Sequence, residues 1–252
     1  MKVSPKKHLG QHFLADKNIS RKIADSILYS GVKNVVEIGP GTGALTEFLL
    51  LQDNHLKLID LDKESIEYLH QKYPERREDI LYGDFLKMDC KDYFADEFIV
   101  TGNFPYNIST QIMFKVVENR NQITQVVGMF QKEVAERIAE KHGSKTYGIL
   151  SVIIQAFYDV EYLFTVSENV FIPPPKVKSG VIRLIRKEKQ NLDCDEKLFV
   201  QIVKATFNQR RKTIHNSLKK LGLEKGVPEK FATKRPEQLS VEEFVELTKL
   251  MS

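Results

Sequence analysis

Three glycines that follow an apolar run are the first residues of this sequence whose types and spacing could bind a ligand. Gly39, Gly41 and Gly43 lie in VVEIGPGTGAL, residues 35–45, between a strand pattern and a helix pattern. Glycine lets backbone N–H groups approach a ligand closely, and a helix start favours polar or anionic groups. The spacing E-x-G-x-G-x-G differs from the dinucleotide fingerprint G-x-G-x-x-G, which argues against NAD. The segment predicts a loop for a nucleotide-like cofactor, and the alternative is a structural turn.

Two carboxylates stand at the ends of the next two apolar runs. In LIDLD, Asp60 ends a strand pattern where an acid can accept hydrogen bonds from both hydroxyls of a ribose. In YGDF, Asp84 ends the following strand pattern, within reach of an adenine amino group. We therefore expect Asp60 to bind a ribose and Asp84 to bind an adenine.

A fourth strand pattern ends in GNFPYNIST, residues 102–110. Asn and Pro are common turn residues, so an ordinary loop is the simplest interpretation of Asn103, Pro105 and Tyr106. In a doubly wound sheet, however, ligands bind at the carboxyl ends of the strands. The glycine loop, the two acids and this corner are then expected to converge on one crevice.

The elements that must position these residues alternate between strand and helix patterns. The strand patterns are KNVVEIG, HLKLIDLD, DILYGD, DEFIVTGN and ITQVVGMF, and helical segments such as KESIEYLHQKY and QKEVAERIAEK follow them. This alternation predicts an α/β fold, a parallel Rossmann-like sheet with helices on both faces. Two later runs, DVEYLFTVS and SGVIRLIRKE, flank FIPPPK and fit an antiparallel addition at the sheet edge.

Near residue 190 the sequence changes from alternating strand and helix patterns to helix patterns alone. EKLFVQIVKATF, NQRRKTIHNSLKKL and SVEEFVELTKLM have amphipathic helix patterns separated by Gly and Pro. We therefore predict a catalytic domain over residues 1–190 and a small all-helical domain over residues 191–252.

Composition limits the class of protein. With 252 residues and 42% hydrophobic content, the chain can bury one sizeable core and a small appended domain. It has no apolar run long enough to span a bilayer, and MKVSPKKHLGQHFL lacks the apolar core of a signal peptide. We expect a cytoplasmic protein. The two cysteines and six histidines show no metal-ligand spacing, so no metal is expected.

The net charge of +4 is unevenly distributed. Lys and Arg outnumber Asp and Glu over residues 176–220, whereas the acids predominate over residues 60–97. A single basic run is most often a solvated helix face. Two separate basic segments, around Lys6 and from Asn208 onwards, favour a polyanionic partner.

The motifs KKHLGQHFL, EIGPGTGALT, GDFLKMD, GNFPYNIST, MFQKEVAERI, YGILSV, FIPPPKVKSGVIRL and NQRRKTIHNSL occur in this order. In this respect the chain resembles the ribosomal RNA adenine dimethyltransferases, the KsgA (RsmA) group with its eukaryotic and Erm relatives, over nearly its whole length. The resemblance implies a class I methyltransferase that uses S-adenosyl-L-methionine (SAM). It also implies a substrate: the N6 amino groups of two adjacent adenosines near the 3′ end of 16S rRNA in the 30S subunit. A monomer is expected.

This resemblance gives the corner a chemical role. An adenine N6 amino group is a poor nucleophile because its lone pair is delocalised, so the enzyme's main task is positioning. The Asn103 side-chain oxygen and the Phe104 carbonyl would accept the two N6 hydrogens and aim the lone pair at the methyl carbon. Pro105 would fix the turn without offering an N–H. Tyr106 would stack on the adenine, a contact worth about 1–3 kcal/mol.

Further residues carry over by motif. His12 and Leu14, in the segment that closes over the cofactor, are expected cofactor contacts; position 12 is commonly Asn in relatives. Asp60 stands where Glu is usual, and Phe104 where Leu or Ile is usual. Phe171 resembles a second aromatic that covers the target base, and a buried core residue is its alternative. The expected cofactor contacts are His12, Leu14, Gly39, Gly41, Asp60, Asp84 and Asn103.

The basic segments are expected to hold RNA. Arg210, Arg211 and Lys212, together with Lys6 and Lys7, would contact phosphates and 2′-hydroxyls, and this binding should weaken steeply with salt. The target adenosine would be flipped out of its loop.

Four other functions share part of this pattern. An Erm-type enzyme acting on 23S rRNA would share the catalytic motifs, and only FIPPPKVKS and QRRKTIHNSLKK favour the small-subunit group. A DNA adenine methyltransferase would need a target-recognition region for which the chain has little room. A ribosome-assembly factor would keep its role without Asn103, and an NAD oxidoreductase would bind NAD.

Overall fold

The structure is a computed structural model that describes residues 3–221 and 226–252. Nine strands and ten α-helices lie in this part of the chain. The strands are β1 Phe13–Leu14, β2 Asn34–Ile38, β3 His55–Asp60, β4 Ile80–Tyr82, β5 Phe98–Asn103, β6 Ile123–Gln131, β7 Tyr158–Val166, β8 Phe171–Ile172 and β9 Ser179–Arg186. The helices are α1 Lys17–Asp25, α2 Thr46–Leu49, α3 Lys63–Lys72, α4 Ser109–Glu118, α5 Lys132–Ala139, α6 Ile149–Gln155, α7 Glu196–Phe207, α8 Ile214–Leu218, α9 Glu229–Ala232 and α10 Val241–Met251. Among the described residues, no helix has the length and apolar character needed to cross a membrane.

Seven strands form one sheet in the order β4-β3-β2-β5-β6-β9-β7. The pairs among the first five strands are parallel, and β9 is antiparallel to β6. Both the predicted parallel sheet and its antiparallel addition are confirmed. Because parallel strands end at the same edge, the carboxyl ends of β2, β3, β4 and β5 meet there.

Burial explains why the central strands have almost continuous apolar runs. Val35, Val36, Ile99 and Val100 are fully buried, as expected where helices cover both faces of a parallel sheet. The first turn of α3 is capped by Asp62, whose side chain accepts a hydrogen bond from the Glu64 N–H.

A short ribbon that the sequence did not predict joins the N-terminal segment to the FIPPPK segment. In it β1 pairs antiparallel with β8, with Phe13 opposite Ile172 and Leu14 opposite Phe171. The Ala15 N–H continues the connection by donating to the Val170 carbonyl at 2.8 Å. The N-terminal strap, residues 5–14, is therefore fixed to the body of the first unit.

The chain divides into two compact units. The first comprises residues 1–135 and 160–186, and the second comprises residues 136–159 and 187–252. The prediction separated the chain at residue 190, whereas the structure groups residues 136–159 with the C-terminal helices. The physical reason lies within the second unit, where α6 packs on α7 and the Tyr147 ring lies edge-on to Phe207, with ring centroids 5.9 Å apart.

The basic segment from Asn208 is less helical than predicted. Residues 208–212 form a turn after α7, and α8 begins only at Ile214. Thr213 has an extended backbone, and its hydroxyl accepts a hydrogen bond from the Asn216 N–H. A threonine in this role begins a new helix, which explains why the preceding arginines stay in a turn.

Candidate cofactor cleft and catalytic corner

A cleft with about 860 Å³ of empty space opens at the carboxyl edge of the sheet. The four predicted strand-end signals converge there. The predicted residues that line it are His12, Gly39, Gly41, Asp60, Asp84, Asn103, Phe104, Pro105 and Tyr106.

The glycine loop is shaped for close approach. Gly39 and Gly41 have φ angles of 68° and 55°, in the left-handed region that favours glycine. A side chain at Gly41 would also collide with the strap, because its Cβ would lie 2.8 Å from the Phe13 ring. The Gly41 N–H donates to Asp60 Oδ2 at 3.1 Å, so the loop and the acid form one structure.

Asp60 is a carboxylate largely removed from water. Its residue is 7% exposed, and the Asp62 N–H donates to its Oδ1 at 2.9 Å. Burial raises the pKa of Asp60 to about 6, against the opposing effect of the N–H groups of Asp62 and Gly41. The Leu61 N–H acts in the same direction as these two groups. Each carboxylate oxygen has two lone pairs, so the Asp60 carboxylate still has capacity to accept from a ligand hydroxyl. Asp60 therefore fits the predicted ribose contact.

Asp84 lines the cleft at the end of β4. Its Oδ1 accepts a hydrogen bond from the Leu86 N–H at 3.0 Å, which fixes the side chain in a local turn. Lys87 Nζ lies 3.7 Å from Oδ2. An oriented acceptor beside the end of β3 fits the predicted adenine contact.

The predicted catalytic corner, residues 103–106, is anchored by the Phe104 ring. This ring is buried and lies edge-on to Phe130, with centroids 5.0 Å apart. A side chain at Gly128, on the adjacent strand β6, would overlap the Phe104 ring. The Phe104 N–H donates to the Met129 carbonyl at 3.2 Å. The ring thus holds the corner down, and the backbone carbonyl remains the part of Phe104 that can meet a ligand.

The Asn103 amide is oriented by the strap. Its Nδ2 donates to the His12 carbonyl at 2.8 Å, and a carbonyl can only accept, so Oδ1 must lie on the other side of the amide. Within residues 3–221 and 226–252, no hydrogen bond reaches Asn103 Oδ1 or the Phe104 carbonyl. The corner therefore presents two neighbouring acceptors without donors.

Tyr106 is fixed at its hydroxyl end. Its Oη lies 2.6 Å from Ser179 Oγ, and the His12 ring stands 5.6 Å from the Tyr106 ring, between centroids. Burial raises the pKa of Tyr106, although the hydrogen bond with Ser179 opposes the shift. Because the hydroxyl is held, the half-buried ring offers a stationary flat surface.

The sequence interpretation missed the residues that tie down the strap. Asp62 is buried; its Oδ1 accepts from Lys6 Nζ, and its Oδ2 accepts from Gln11 Nε2 at 3.2 Å. His12 Nδ1 lies 2.8 Å from the Pro173 carbonyl, so it must be the protonated nitrogen. Burial alone would raise the pKa of Asp62, but the hydrogen bonds from Lys6 and Gln11 hold it below its usual value. The second acid of LIDLD was the available signal for Asp62.

A second missed residue is Glu37, the acid that precedes the glycines. It is 1% exposed and accepts a hydrogen bond from Thr46 Oγ1 at 2.7 Å, which connects β2 to α2 beneath the loop. Burial raises the pKa of Glu37 to about 8, and the Thr46 bond only partly opposes this effect. The glutamate in E-x-G-x-G-x-G was its signal.

Leu14 and Phe171 do not line the main cleft, and both are buried in the hydrophobic core of the first unit. Phe171 is 2% exposed, whereas Leu14 also borders a small space behind the glycine loop that Gly39 and Asn103 line as well. Phe13, one residue before Leu14, lines both the cleft and this small space. For Phe171, the structure agrees with the core alternative.

The three predicted RNA-binding residues of the second unit differ in their exposure and in the hydrogen bonds that their side chains already form. Arg210 donates to the Ser144 carbonyl at 3.0 Å, and its Nε lies 3.7 Å from Glu237 Oε2. Arg211 is exposed, and Lys212 is exposed with its Nζ bonded to Gln209 Oε1 at 2.9 Å. Lys6 likewise pairs with Asp62, whereas Lys7 is exposed.

The cleft fits a bound SAM. It combines a glycine loop, a desolvated carboxylate with remaining acceptor capacity and an oriented acid at the next strand end. Within the described residues, no cluster of His, Cys, Asp or Glu could hold a metal ion. Together with the sheet order, in which an antiparallel β9 lies between β6 and β7, these features define a class I SAM-dependent methyltransferase.

Similarity to known proteins identifies a family within this class. A solved dimethyladenosine transferase from Plasmodium falciparum is 28% identical, with a TM-score of 0.80, over 94% of this chain and 96% of that one. The 23S rRNA methyltransferase ErmE shares the fold, with a TM-score of 0.70 and 24% identity over 94% of this chain and 99% of that chain. Ribosomal RNA small subunit methyltransferase A of Cytophaga hutchinsonii is 57% identical over 100% of this chain and 98% of its own.

The family model of the ribosomal RNA adenine dimethylases matches residues 3–251. The chain therefore belongs to the ribosomal RNA adenine dimethylase family, which confirms the resemblance in the sequence motifs.

Proposed function

We propose that this protein transfers methyl groups from SAM to the N6 amino groups of two adjacent adenosines near the 3′ end of 16S rRNA in the 30S subunit. Support comes from the family, and from close relatives that are named small subunit methyltransferases. A substrate of this kind gives the protein a cytoplasmic location. We also propose that the active form is a monomer.

The strand ends would hold the cofactor. Asp60 would accept the ribose hydroxyls, Asp84 the adenine amino group, and the loop at Gly39 and Gly41 would lie against the methionine part. His12 would close the cleft from the strap. When bound, SAM supplies a methyl group made electrophilic by its sulfonium. Direct contacts from Leu14 and Phe171 stay predictions that their burial does not support.

The single observation that carries the proposal is the bond from Asn103 Nδ2 to the His12 carbonyl. This bond fixes the orientation of the amide and leaves Oδ1 without a donor, so that Oδ1 and the Phe104 carbonyl would accept the two N6 hydrogens of an adenine. Accepting them draws the nitrogen toward a tetrahedral shape and aims its lone pair, which is a positioning effect. Pro105 keeps the turn rigid, and Tyr106 stacks on the base. The N6 proton leaves to solvent, and the remaining hydrogen permits a second transfer.

The domains would divide the work. Residues 1–190 would carry catalysis, and residues 191–252 would bind RNA. The exposed side chains of Arg211 and Lys212 favour this role. For Arg210 the role is weaker, because its guanidinium already bonds within the second unit.

The test is incorporation of labelled methyl groups from SAM into 30S subunits of a strain that lacks the modification, beside 50S subunits and DNA. We expect label only in 30S subunits, recovered as N6,N6-dimethyladenosine. Label in 50S subunits would assign an Erm-type function, and label in DNA or in no substrate would reject the proposal.

An Asn103→Ala variant distinguishes an enzyme from an assembly factor. We expect turnover to fall by about 10²–10³-fold, the usual loss when one positioned hydrogen-bonding group is removed from an active site. The variant should still melt cooperatively and still bind 30S subunits. Unchanged turnover would exclude Asn103 as the N6 acceptor. A separate thermal-shift experiment on the wild-type protein tests the cofactor, because stabilisation by NAD rather than by SAM would exclude the SAM assignment.

A further inference from the structure

A groove separate from the cofactor cleft lies beside the catalytic corner. It contains about 1,110 Å³ of empty space, and its walls include Lys7 of the strap, Tyr106 and residues 173–177. His12 and Tyr106 line both spaces, whereas Asn103 and Phe104 line only the cleft. Gly10 and Gln11 also line both spaces, so the groove adjoins the cleft at the strap and at the His12 and Tyr106 rings, whose centroids lie 5.6 Å apart.

The groove has the chemistry of a single-stranded nucleic-acid site. Three consecutive prolines, Val177 and the Tyr106 ring give it flat apolar surfaces, and Lys7 and Lys176 supply positive charge. Its lining contains no Asp or Glu. Single strands bind where stackable surfaces are combined with cations. The polar pocket at the opposite, amino edge of the sheet contains Asp96 and Glu97, and it lacks this character.

The two lysines are available for a ligand. In the part of the chain that the structure describes, neither Lys7 nor Lys176 forms an ion pair, and both are exposed. Lys6, next in sequence, is paired with Asp62 and with Glu64. Apolar side chains at the same place face solvent as well: Ile172 is 63% exposed and Val177 is 45% exposed. Exposed apolar groups next to a functional site often mark a binding surface.

We propose that this groove binds the nucleotide next to the target adenosine in the same RNA strand. Its base lies against the prolines and the outer side of the Tyr106 and His12 rings, and Lys7 and Lys176 contact its phosphates. The assignment rests on the proposed function, because the corner must receive an adenine of a longer strand. A flipped-out base is joined to its neighbour by one sugar-phosphate unit, so the neighbour must lie close to Tyr106. For a substrate with two adjacent adenosines, the groove holds one while the other is methylated.

Continuity with the corner selects RNA over an acidic peptide. Charge alone would attract either polyanion, but a peptide has no reason to start at the ring pair that borders the adenine position. The contact between His12 Nδ1 and the Pro173 carbonyl, 2.8 Å long, joins the strap to the proline segment, so these two walls of the groove are held together in the conformation in which the strap also lines the cofactor cleft.

The test compares two double variants with equal loss of charge. Lys7→Ala/Lys176→Ala removes the groove lysines, and Lys91→Ala/Lys178→Ala removes two exposed lysines outside the groove. We measure kcat and KM for unmodified 30S subunits and for SAM at several salt concentrations. For the groove variant we expect the KM for 30S to rise about tenfold, with KM for SAM unchanged. The slope of log KM against log salt should fall by about 1.4, because each phosphate contact on a single strand contributes about 0.7.

Equal KM values and salt slopes for the two double variants would overturn the proposal. A second pair, Val177→Glu and Val177→Gln, keeps the lysines: the glutamate should raise the KM for 30S and the glutamine should not. Competition by polyglutamate as strong as by oligoadenylate would reject RNA as the occupant. Failure of the proposed function is a distinct result, since it would appear as absent 30S methylation by the wild-type protein.

Discussion

The cleft and the basic segment of the second unit use their polar side chains differently. In the cleft, Asp60 and Asn103 each form hydrogen bonds with backbone groups and keep further acceptor capacity for a ligand. In the basic segment, the guanidinium of Arg210 is bonded to the Ser144 carbonyl, while Arg211 remains exposed. The comparison teaches that a residue type shows which chemistry is available, and that its partners decide how much of it is left for a ligand.

The two regions also differ in their dependence on water. Burial raises the pKa of Asp60 in the cleft and of Glu37 beneath the glycine loop, because removing a carboxylate from water disfavours its charged form. Arg211 and Lys212 remain in water, where charges interact weakly over distance and salt screens them. Substitutions in the cleft should therefore change stability and rate more than substitutions in the basic segment.

The largest effect should come from Glu37→Gln. The pKa of Glu37 rises from 4.5 to about 8 on folding, so its contribution to stability is complete below pH 4.5 and is lost as the pH rises toward 8. Glutamine has no charge to bury, and its oxygen can still accept from Thr46. We expect the variant to be more stable than the wild type at pH 8 by on the order of a few kcal/mol, and equally stable near pH 4.5. Thermal melting across this range measures the difference.

Glu47→Gln is the matched control. Glu47 is an exposed glutamate whose pKa is lowered by its hydrogen bond with Lys17. Its substitution should leave stability at pH 8 unchanged or slightly reduced, the opposite sign to Glu37. If Glu37→Gln is the less stable protein at pH 8, then Glu37 is a favourable charge, and the desolvation argument for the cleft is wrong.

A smaller effect should follow from Asp62→Asn. Asparagine still caps α3, so the substitution mainly removes the charge that holds Lys6. A looser strap should weaken cofactor closure, and we expect the KM for SAM to rise about tenfold, or about 1.4 kcal/mol. At saturating SAM, kcat should change much less.

The control for this variant is Glu64→Gln. Glu64 also lies near Lys6, 3.3 Å from Nζ, but its side chain is partly exposed. The KM of the Glu64→Gln variant for SAM should stay within about twofold of the wild-type value, as expected for an exposed ion pair. A similar rise in both variants would mean that general charge near Lys6, and not the buried Asp62 carboxylate, fixes the strap.

The sequence predicted the parallel sheet and the convergence of its strand ends because both depend on patterns along the chain. These patterns are the period of the apolar residues and the alternation of strand and helix segments. It could not give the register of β1 with β8, which depends on residues far apart in the chain. For that reason Leu14 and Phe171 were expected at the site, and Phe13 was not. In a two-residue strand, a shift of one position moves each side chain to the other face.

The strap contacts were hidden for a similar reason. Nothing in KKHLGQHFL shows that Lys6 will meet Asp62 or that the His12 carbonyl will meet Asn103. The positions of Asn103 and Asp60 at the cleft were predictable because each ends a strand next to a known type of loop. Their remaining acceptor capacity became visible only with their partners in place.

The smallest effects should separate Arg210 from Arg211. Arg210→Ala removes the donor to the Ser144 carbonyl and the cation near Glu237, so we expect the free energy of unfolding to fall by about 1 kcal/mol. Arg211→Ala should leave stability within about 0.5 kcal/mol, but it should raise the KM for 30S a few-fold and lower the salt slope by about one phosphate contact. Denaturant titration and methylation kinetics at two salt concentrations measure both quantities. The opposite result would be that Arg210→Ala melts like the wild type and raises the KM for 30S as much as Arg211→Ala does. In that case the bonds of Arg210 within the second unit do not prevent it from binding RNA, and the contrast between the two regions is wrong.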